Sequence, residues 1–206
     1  MYPELYSTIQ HVEKERFMTD AAKDRLQALI DYIQQQVNHQ RQINLHFICT
    51  HNSRRSQLAQ IWAQTMAAYY KIPNISCYSG GTETTALYPK VIAILCKQGF
   101  QVYKITDGNN PVYAVKYNAN ALPVIGFSKT YDNPFNPMSA FAGVMTCSQA
   151  DIDCPFIAGA EKRIALPYDD PKLADGSDQQ DEVYEESSLK IATEMFYVFS
   201  RIAPHP

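Results

Sequence analysis

A chain of 206 residues that is 46% hydrophobic carries enough apolar material for one well-filled core, or for one domain with an appendage. Its formal charge of −3, with no long run of basic residues, leaves no electrostatic footprint for nucleic acid. The opening MYPELYSTIQHVEKERF has charges where a signal peptide needs an apolar run, and no window approaches the roughly 18 apolar residues of a membrane span, so a soluble, cytoplasmic protein is expected.

Residues 1–42 differ in texture from the rest. Leu5, Ile9 and Val12 fall at helical spacing; after a Thr19-Asp20 start signal, Leu26, Ile30, Ile33 and Val37 do so again. Two amphipathic helices are predicted, an N-terminal helical extension whose apolar stripes must be covered by the main domain, residues 43–206, or by a second copy of the chain. From Ile43 short apolar runs alternate with helical patterns. INLHFIC (43–49) reads as strand, 57–70 as helix, ISCYS (75–79) as strand, 89–97 as a helix with proline in its first turn, and FAGVMTC (141–147) as strand. Tyr184, Ile191, Met195, Val198 and Ile202 mark a closing helix. Strands alternating with helices imply a parallel sheet flanked by helices on both sides. Between Gly99 and Pro137 the pattern is less regular; VYAVKY and LPVIGFS read as a hairpin joined by NANA, and DNPFNP as a turn.

The five cysteines, an odd number in a chain without a secretion signal, argue for reduced thiols rather than a disulfide framework. One stands out. In Cys49-Thr50-His51-Asn52-Ser53-Arg54-Arg55-Ser56 a strand runs into a loop and then a helix, which aims the loop's backbone N–H groups at an anion. A thiol placed there ionises readily, so Cys49 is the candidate nucleophile. Arg55 supplies a planar fork of donors for two oxygens of a tetrahedral oxyanion, Ser56 can donate to the thiolate, and Asn52 can hold the loop's shape.

This loop resembles the Cys-x5-Arg-Ser loop of low-molecular-weight protein tyrosine phosphatases, and more closely that of the thioredoxin-coupled arsenate reductases built on the same fold, typically Cys-Thr-Gly-Asn-Ser-Cys-Arg-Ser-Gln-Met-Ala-Glu. The chain matches at Cys49, Thr50, Asn52, Ser53, Arg55, Ser56, Gln57 and Ala59, and departs at His51, Arg54, Leu58 and Gln60. Tyr78 to Thr84 is similar to the family's Ser-Ala-Gly-Thr-Glu stretch, and Leu166 to Pro171 to its Asp-Asp-Pro loop. The likeness spans most of 43–202, leaving out the N-terminal helices and the 107–137 segment, which reads as an insertion. It implies a three-layer α/β sandwich with a central, mostly parallel four-stranded sheet, plus the N-terminal helical extension.

The resemblance also implies roles. Residues Thr50, His51, Asn52, Ser53, Arg54 and Arg55 form the oxyanion site, and Asp170, or else Asp169, is the general acid that protonates the departing oxygen; without the resemblance, Asp-Asp-Pro is only a turn with solvated carboxylates. A phosphatase needs one thiol, whereas reduction of arsenate takes two electrons from thiols. Cys147 and Cys154, in a Cys-x6-Cys-Pro pattern, match the reductases' relay pair, while Cys77 and Cys96 read as small buried core residues. The segment between the relay thiols is polar, compatible with local unfolding.

The implied partners are arsenate or phosphate and, as electron donor, thioredoxin, with a homodimer through the N-terminal helices also open. No cofactor is implied. Gln60 replaces a glutamate that helps form a potassium site in some of these reductases, so no metal is assigned. At the place of His51 the family has glycine, which permits positive φ, so histidine must reach that conformation at some cost or the loop must differ. Arg54 adds positive charge, or crowds the site. Hydrolysis of phosphotyrosine or aryl phosphates through a phosphocysteine is the alternative activity, and a non-catalytic oxyanion sensor a third reading.

Overall fold

The computed structural model describes residues 1–14, 18–153 and 156–203. Helices α1 (Pro3–Lys14) and α2 (Asp20–Asn38) open the chain, and the Thr19 side chain caps α2 by accepting the Ala22 N–H at 3.3 Å. Their apolar stripes, Leu5, Ile9 and Val12 on one and Leu26, Ile30, Ile33 and Val37 on the other, are buried in the same core as the rest of the chain. Of the two covers the stripes allow, the rest of the chain supplies the one observed. Helix α1 comes so close to the turn at Gly99 (φ 94°) that a Cβ there would lie 2.2 Å from the Leu5 nitrogen, so both the backbone angle and the packing require glycine.

The sheet core follows. Strand β1 (Ile43–Cys49) leads into α3 (Arg55–Tyr69), β2 (Ile75–Gly81) and α4 (Pro89–Lys97). A small antiparallel sheet of β3 (Gln101–Lys104), β4 (Tyr113–Lys116) and β5 (Val124–Gly126) comes next. Then come β6 (Phe141–Met145), the short α5 (Ser148–Asp153), β7 (Ala160–Ala165), a 3-10 turn (Pro171–Ala174) and α6 (Gln180–Ser200). The central sheet has the order β2-β1-β6-β7 and is parallel throughout, with Leu45 beside Cys77 on one side and Ala142 on the other.

Alternation along β1 and β6 separates two layers. Leu45, Phe47, Ala142 and Val144 join the large cluster that α3 and α6 cover, whereas Ile48, Phe141 and Met145 face a smaller cluster with Cys147, Ala150 and Ile157. Trp62 anchors the large cluster. It is fully buried, edge-on to Phe100 at 5.0 Å, and its indole N–H donates to Ser188 at 2.9 Å. Among the described residues no helix is long and apolar enough to cross a membrane.

Several boundaries differ from the sequence reading. Helix α3 begins at Arg55 rather than 57, β2 runs on to Gly81, and β6 stops at Met145 rather than 147. The hairpin of β4 and β5 forms as read, and β3 adds a third strand to it. Cys96 is not a core residue: it lies on the exposed face of α4, while Cys77 on β2 is buried. The polar segment after Cys147 forms the short helix α5, on which Ala150 is buried, Ile152 exposed, and Asp151 paired with Arg163 at 2.5 Å.

Candidate active site

The loop from Cys49 to Arg55 lies between the C-terminal end of β1 and the first turn of α3. Its carbonyls are taken up one after another by the surrounding chain. Cys49 O accepts from Thr82 N–H (3.1 Å), Thr50 O from Glu83 N–H (2.8 Å), His51 O from the Ser128 hydroxyl (2.8 Å), Asn52 O from the Gln57 amide (3.1 Å) and Ser53 O from Tyr88 N–H (3.1 Å). In a trans peptide the N–H points opposite to the C=O, so tying five successive carbonyls outward turns the matching N–H edges toward the inside of the loop. A concavity of that kind, continued by the N-terminus of α3, suits an anion.

Positive φ in the loop falls on Asn52 (φ 46°), among the described residues, and not on His51. The strain expected at His51 is therefore absent, because asparagine, which tolerates the left-handed region, takes it one residue later. The His51 ring instead lies 3.4 Å from the Glu83 carboxylate on the surface. Gly81, at the end of β2, is pressed against the loop: a Cβ there would lie 2.5 Å from Thr50 O and 2.8 Å from Asn52 N.

The candidate side chains gather around the sulfur. Cys49 is buried, with Ser56 Oγ at 3.0 Å from its Sγ. Asn52 Oδ1 accepts from Lys129 N–H (3.0 Å) and the Gln57 amide (3.1 Å), so its Nδ2 is the end that donates to Ser56 Oγ, at 2.8 Å. Ser56, with its oxygen accepting, is left to donate its hydrogen to Cys49. Arg55, opening α3, donates from Nη1 to Tyr168 O (3.1 Å) and from Nη2 to Asp170 Oδ2 (2.5 Å). Asp170 thus faces the loop, while Asp169 is exposed beside Lys190 at 3.3 Å. Cys147 is buried in the same cluster as Cys49, with the Thr50 hydroxyl 3.5 Å and the Ala150 N–H 3.3 Å from its sulfur.

Arg54 is engaged elsewhere. Its guanidinium donates to Tyr184 Oη (2.5 Å) and Asp175 Oδ2 (2.6 Å) and stacks 4.1 Å from the Tyr88 ring centroid. Of the expected residues, Cys49, Asn52, Arg55, Ser56, Asp170 and Cys147 converge, along with the backbone of Thr50 and Ser53. The side chains of His51 and Arg54 do not, and Cys154 lies outside the described residues. Gln60, buried, donates to Cys77 O (3.1 Å). Among the described residues no group of three or more His, Cys, Asp or Glu could hold a metal ion.

The sequence reading misses three groups. Asp175 and Tyr184 clamp Arg54, and Lys129 buries itself against the loop from within the 107–137 segment. Of the aromatics in that segment, Tyr113 and Tyr117 pack on the large core, Tyr131 sits on the small cluster with Cys49 and Cys147, and Phe127 meets Phe135 edge-on. No sequence pattern marks Lys129 or Asp175, since lysine and aspartate are ordinarily exposed.

No protein-family model matches the chain. It is similar to an arsenate reductase of Staphylococcus aureus (strain Newman), 31% identical over 152 residues, covering 74% of this chain and 94% of the relative. The arsenate reductase of the bovine strain RF122 is 30% identical over the same length. Among solved structures, a low-molecular-weight phosphotyrosine phosphatase from Vibrio cholerae O395 superposes with a TM-score of 0.52 at 14% identity, over 77% of this chain and 94% of that one. An arsenate reductase in its phosphate-binding state superposes with a TM-score of 0.50 at 18% identity, over 78% and 99%. At these identities the structural likeness speaks for the fold.

Proposed function

The chain belongs to the arsenate reductase family, and on that premise we propose that it reduces arsenate to arsenite, with Cys49 as nucleophile and Cys147 and Cys154 as a thiol relay. The observation that carries this reading is the second thiol. Cys147 is buried in one small cluster with Cys49, its sulfur against the loop residue Thr50. A phosphocysteine is hydrolysed by water and needs no such neighbour.

The steps balance as follows. Arsenate enters the loop and takes the Arg55 fork from Asp170, so that Asp170 is released to carry a proton. The Cys49 thiolate attacks arsenic, the As–OH bond of the protonated arsenate breaks, and Asp170 hands its proton to the departing hydroxyl, which leaves as water. Cys147, as thiolate, then attacks the Cys49 sulfur. The electron pair of the S–As bond goes to arsenic, which departs as arsenite, and Cys49 and Cys147 are left as a disulfide. Cys154 attacks Cys147, freeing Cys49, and the Cys147–Cys154 disulfide is reduced by a dithiol donor, thioredoxin in our reading. Helix α5, only six residues long and fastened by buried Ala150 and the Asp151–Arg163 pair, is the piece of backbone that has to give way for that exchange. We place this chemistry in a reducing cytoplasm, where the free thiols Cys49, Cys77, Cys96 and Cys147 persist. A homodimer through α1 and α2 would have to use their polar outer faces, since the apolar stripes are buried within the chain.

Arsenate-dependent NADPH oxidation with thioredoxin and thioredoxin reductase, run beside hydrolysis of an aryl phosphate, tests the reading. Turnover on arsenate that is lost in Cys147→Ser and in Cys154→Ser supports the relay. Phosphate hydrolysis dependent on Cys49 and indifferent to both other thiols makes the protein a phosphatase instead.

A further inference from the structure

Lys129 is 1% exposed, an uncommon place for an ammonium, and among the described residues no carboxylate charge offsets its burial. Its Nζ sits 4.4 Å from the Phe127 ring centroid and 5.3 Å from that of Phe135, and donates to Phe127 O at 3.4 Å. Two aromatic faces and a carbonyl take the place of a counter-ion. The same carbonyl accepts from the Gln57 amide at 2.8 Å. Along the main chain, Lys129 N–H donates to Asn52 Oδ1 and Lys129 O accepts from Gly81 N–H at 2.9 Å. Both ends of this residue therefore bear on the oxyanion loop.

We propose that Lys129 is a positioning residue of the reaction centre: its ammonium grips Phe127 and Phe135 and so fixes the 127–129 backbone that orients Asn52. The consequence is one of hydrogen-bond direction. With Oδ1 held by Lys129 N–H, Asn52 presents N–H to Ser56, Ser56 accepts, and its hydrogen is left for the Cys49 thiolate. Were the Asn52 amide released to turn over, Oδ1 would face Ser56, the hydroxyl would donate to it, and Cys49 would lose its donor. Burial lowers the Lys129 pKa to about 7, so the gripping form is already partly depleted at neutral pH. The neighbouring His46, buried and held down to about 3, is neutral there and adds no charge of its own.

The proposal rests on Cys49 being the nucleophile, and alkylation of that thiol needs no turnover, so its outcome stands whether or not arsenate is the substrate. The rate of Cys49 alkylation by iodoacetamide is followed against pH by peptide mass spectrometry, in wild type, Lys129→Met and Lys129→Arg. In Lys129→Met the midpoint of the profile is expected to rise by about half a pH unit or more, a factor of roughly three in thiolate at a given pH, with Lys129→Arg returning most of the shift. Because Lys129→Met also removes a charge from beside the loop, Phe135→Leu, at a half-exposed ring of the same cage, serves as second variant that keeps the ammonium and should move the midpoint the same way. A midpoint unmoved in the folded variants, with only the melting temperature changed, overturns the proposal and leaves Lys129 a packing residue.

Discussion

Arg55 and Asp170 form a direct ion pair across the mouth of the loop, Nη2 to Oδ2 at 2.5 Å, although they are 115 residues apart in sequence. The candidate oxyanion ligand and the candidate acid hold each other in the described conformation. In the proposed mechanism an arriving anion takes Arg55 from Asp170, and that exchange frees Asp170 for proton transfer. Asp170→Asn keeps the hydrogen-bonding shape, removes the proton donor and removes a negative charge from the site. Arsenate turnover should fall by roughly 10²- to 10⁴-fold, while protection of Cys49 from alkylation by phosphate should strengthen. Asp169→Asn, at an exposed carboxylate beside Lys190, should leave both readouts near wild type; comparing the two variants decides which carboxylate is the acid.

Gly81 supplies a test of the loop's shape that touches no reacting group. A methyl at this position would meet Thr50 O, Glu83 O and Asn52 N, all backbone atoms that cannot swing aside. Gly81→Ala should therefore displace the loop, raise the phosphate concentration that half-protects Cys49 about tenfold or more, and lower the melting temperature in line with an overpacking penalty of roughly 1–3 kcal/mol. Phosphate protection and thermal melting on the same preparation separate the local effect from global unfolding.

Much of this arrangement is legible in the chain, and the rest is hidden for identifiable reasons. INLHFIC announces β1 because a strand buried on both faces is a near-continuous apolar run, and the Cys-x5-Arg spacing behind it places the loop. AEKRIA gives no such signal, because β7 is an edge strand with four of its six residues exposed. Helix α4 is read correctly as a helix, yet its cysteine lies on the wrong side of the stripe for burial. The left-handed residue of the loop is mislocated because the family's glycine at position 51 draws attention away from Asn52, whose side chain can also support that conformation. What no local pattern carries is long-range pairing. Arg54 with Asp175, 121 residues on, and Lys129 with Asn52, 77 residues back, join segments whose proximity only the fold creates.

The Arg54 clamp yields a prediction about the acid loop. Asp175 stands five residues after Asp170, separated by the 3-10 turn, and is held by Arg54, Tyr184 and Gln180 at 2.6, 2.6 and 3.1 Å. Arg54→Ala should destabilise the protein by about 1–3 kcal/mol, the range for lost charge-assisted bonds in a partly buried site, and lower turnover by loosening Asp170. Arg54→Lys should not restore it, since one ammonium cannot serve Tyr184, Asp175 and the Tyr88 face together. Burial alone would raise the Asp175 pKa, but the bonds from Tyr184 and Gln180 and the Arg54 charge outweigh it and hold it below its ordinary 3.8. A depressed carboxyl contributes stability that is present above its unfolded value and lost as pH falls through the folded one. Wild type should accordingly lose more stability than Asp175→Asn on acidification below about pH 4, measured by urea unfolding across that range.

Lys129 makes the opposite demand on pH. Its pKa falls from 10.5 in the unfolded chain to about 7 on burial, so between those values the unfolded state binds the extra proton. Stability from this residue therefore rises with pH through the window from about 7 to 10.5 and is flat below it. In Lys129→Met that increment disappears. The variant should be the more stable of the two near pH 7, by up to a few kcal/mol, with the gap closing toward pH 10. Melting temperature against pH for the pair checks this, and a parallel curve over pH 7–10 would show that Lys129 stays charged in the fold. The two pH responses run against each other: raising the pH relieves the buried charge and stabilises the chain, yet it also deprotonates the group that grips Phe127 and Phe135.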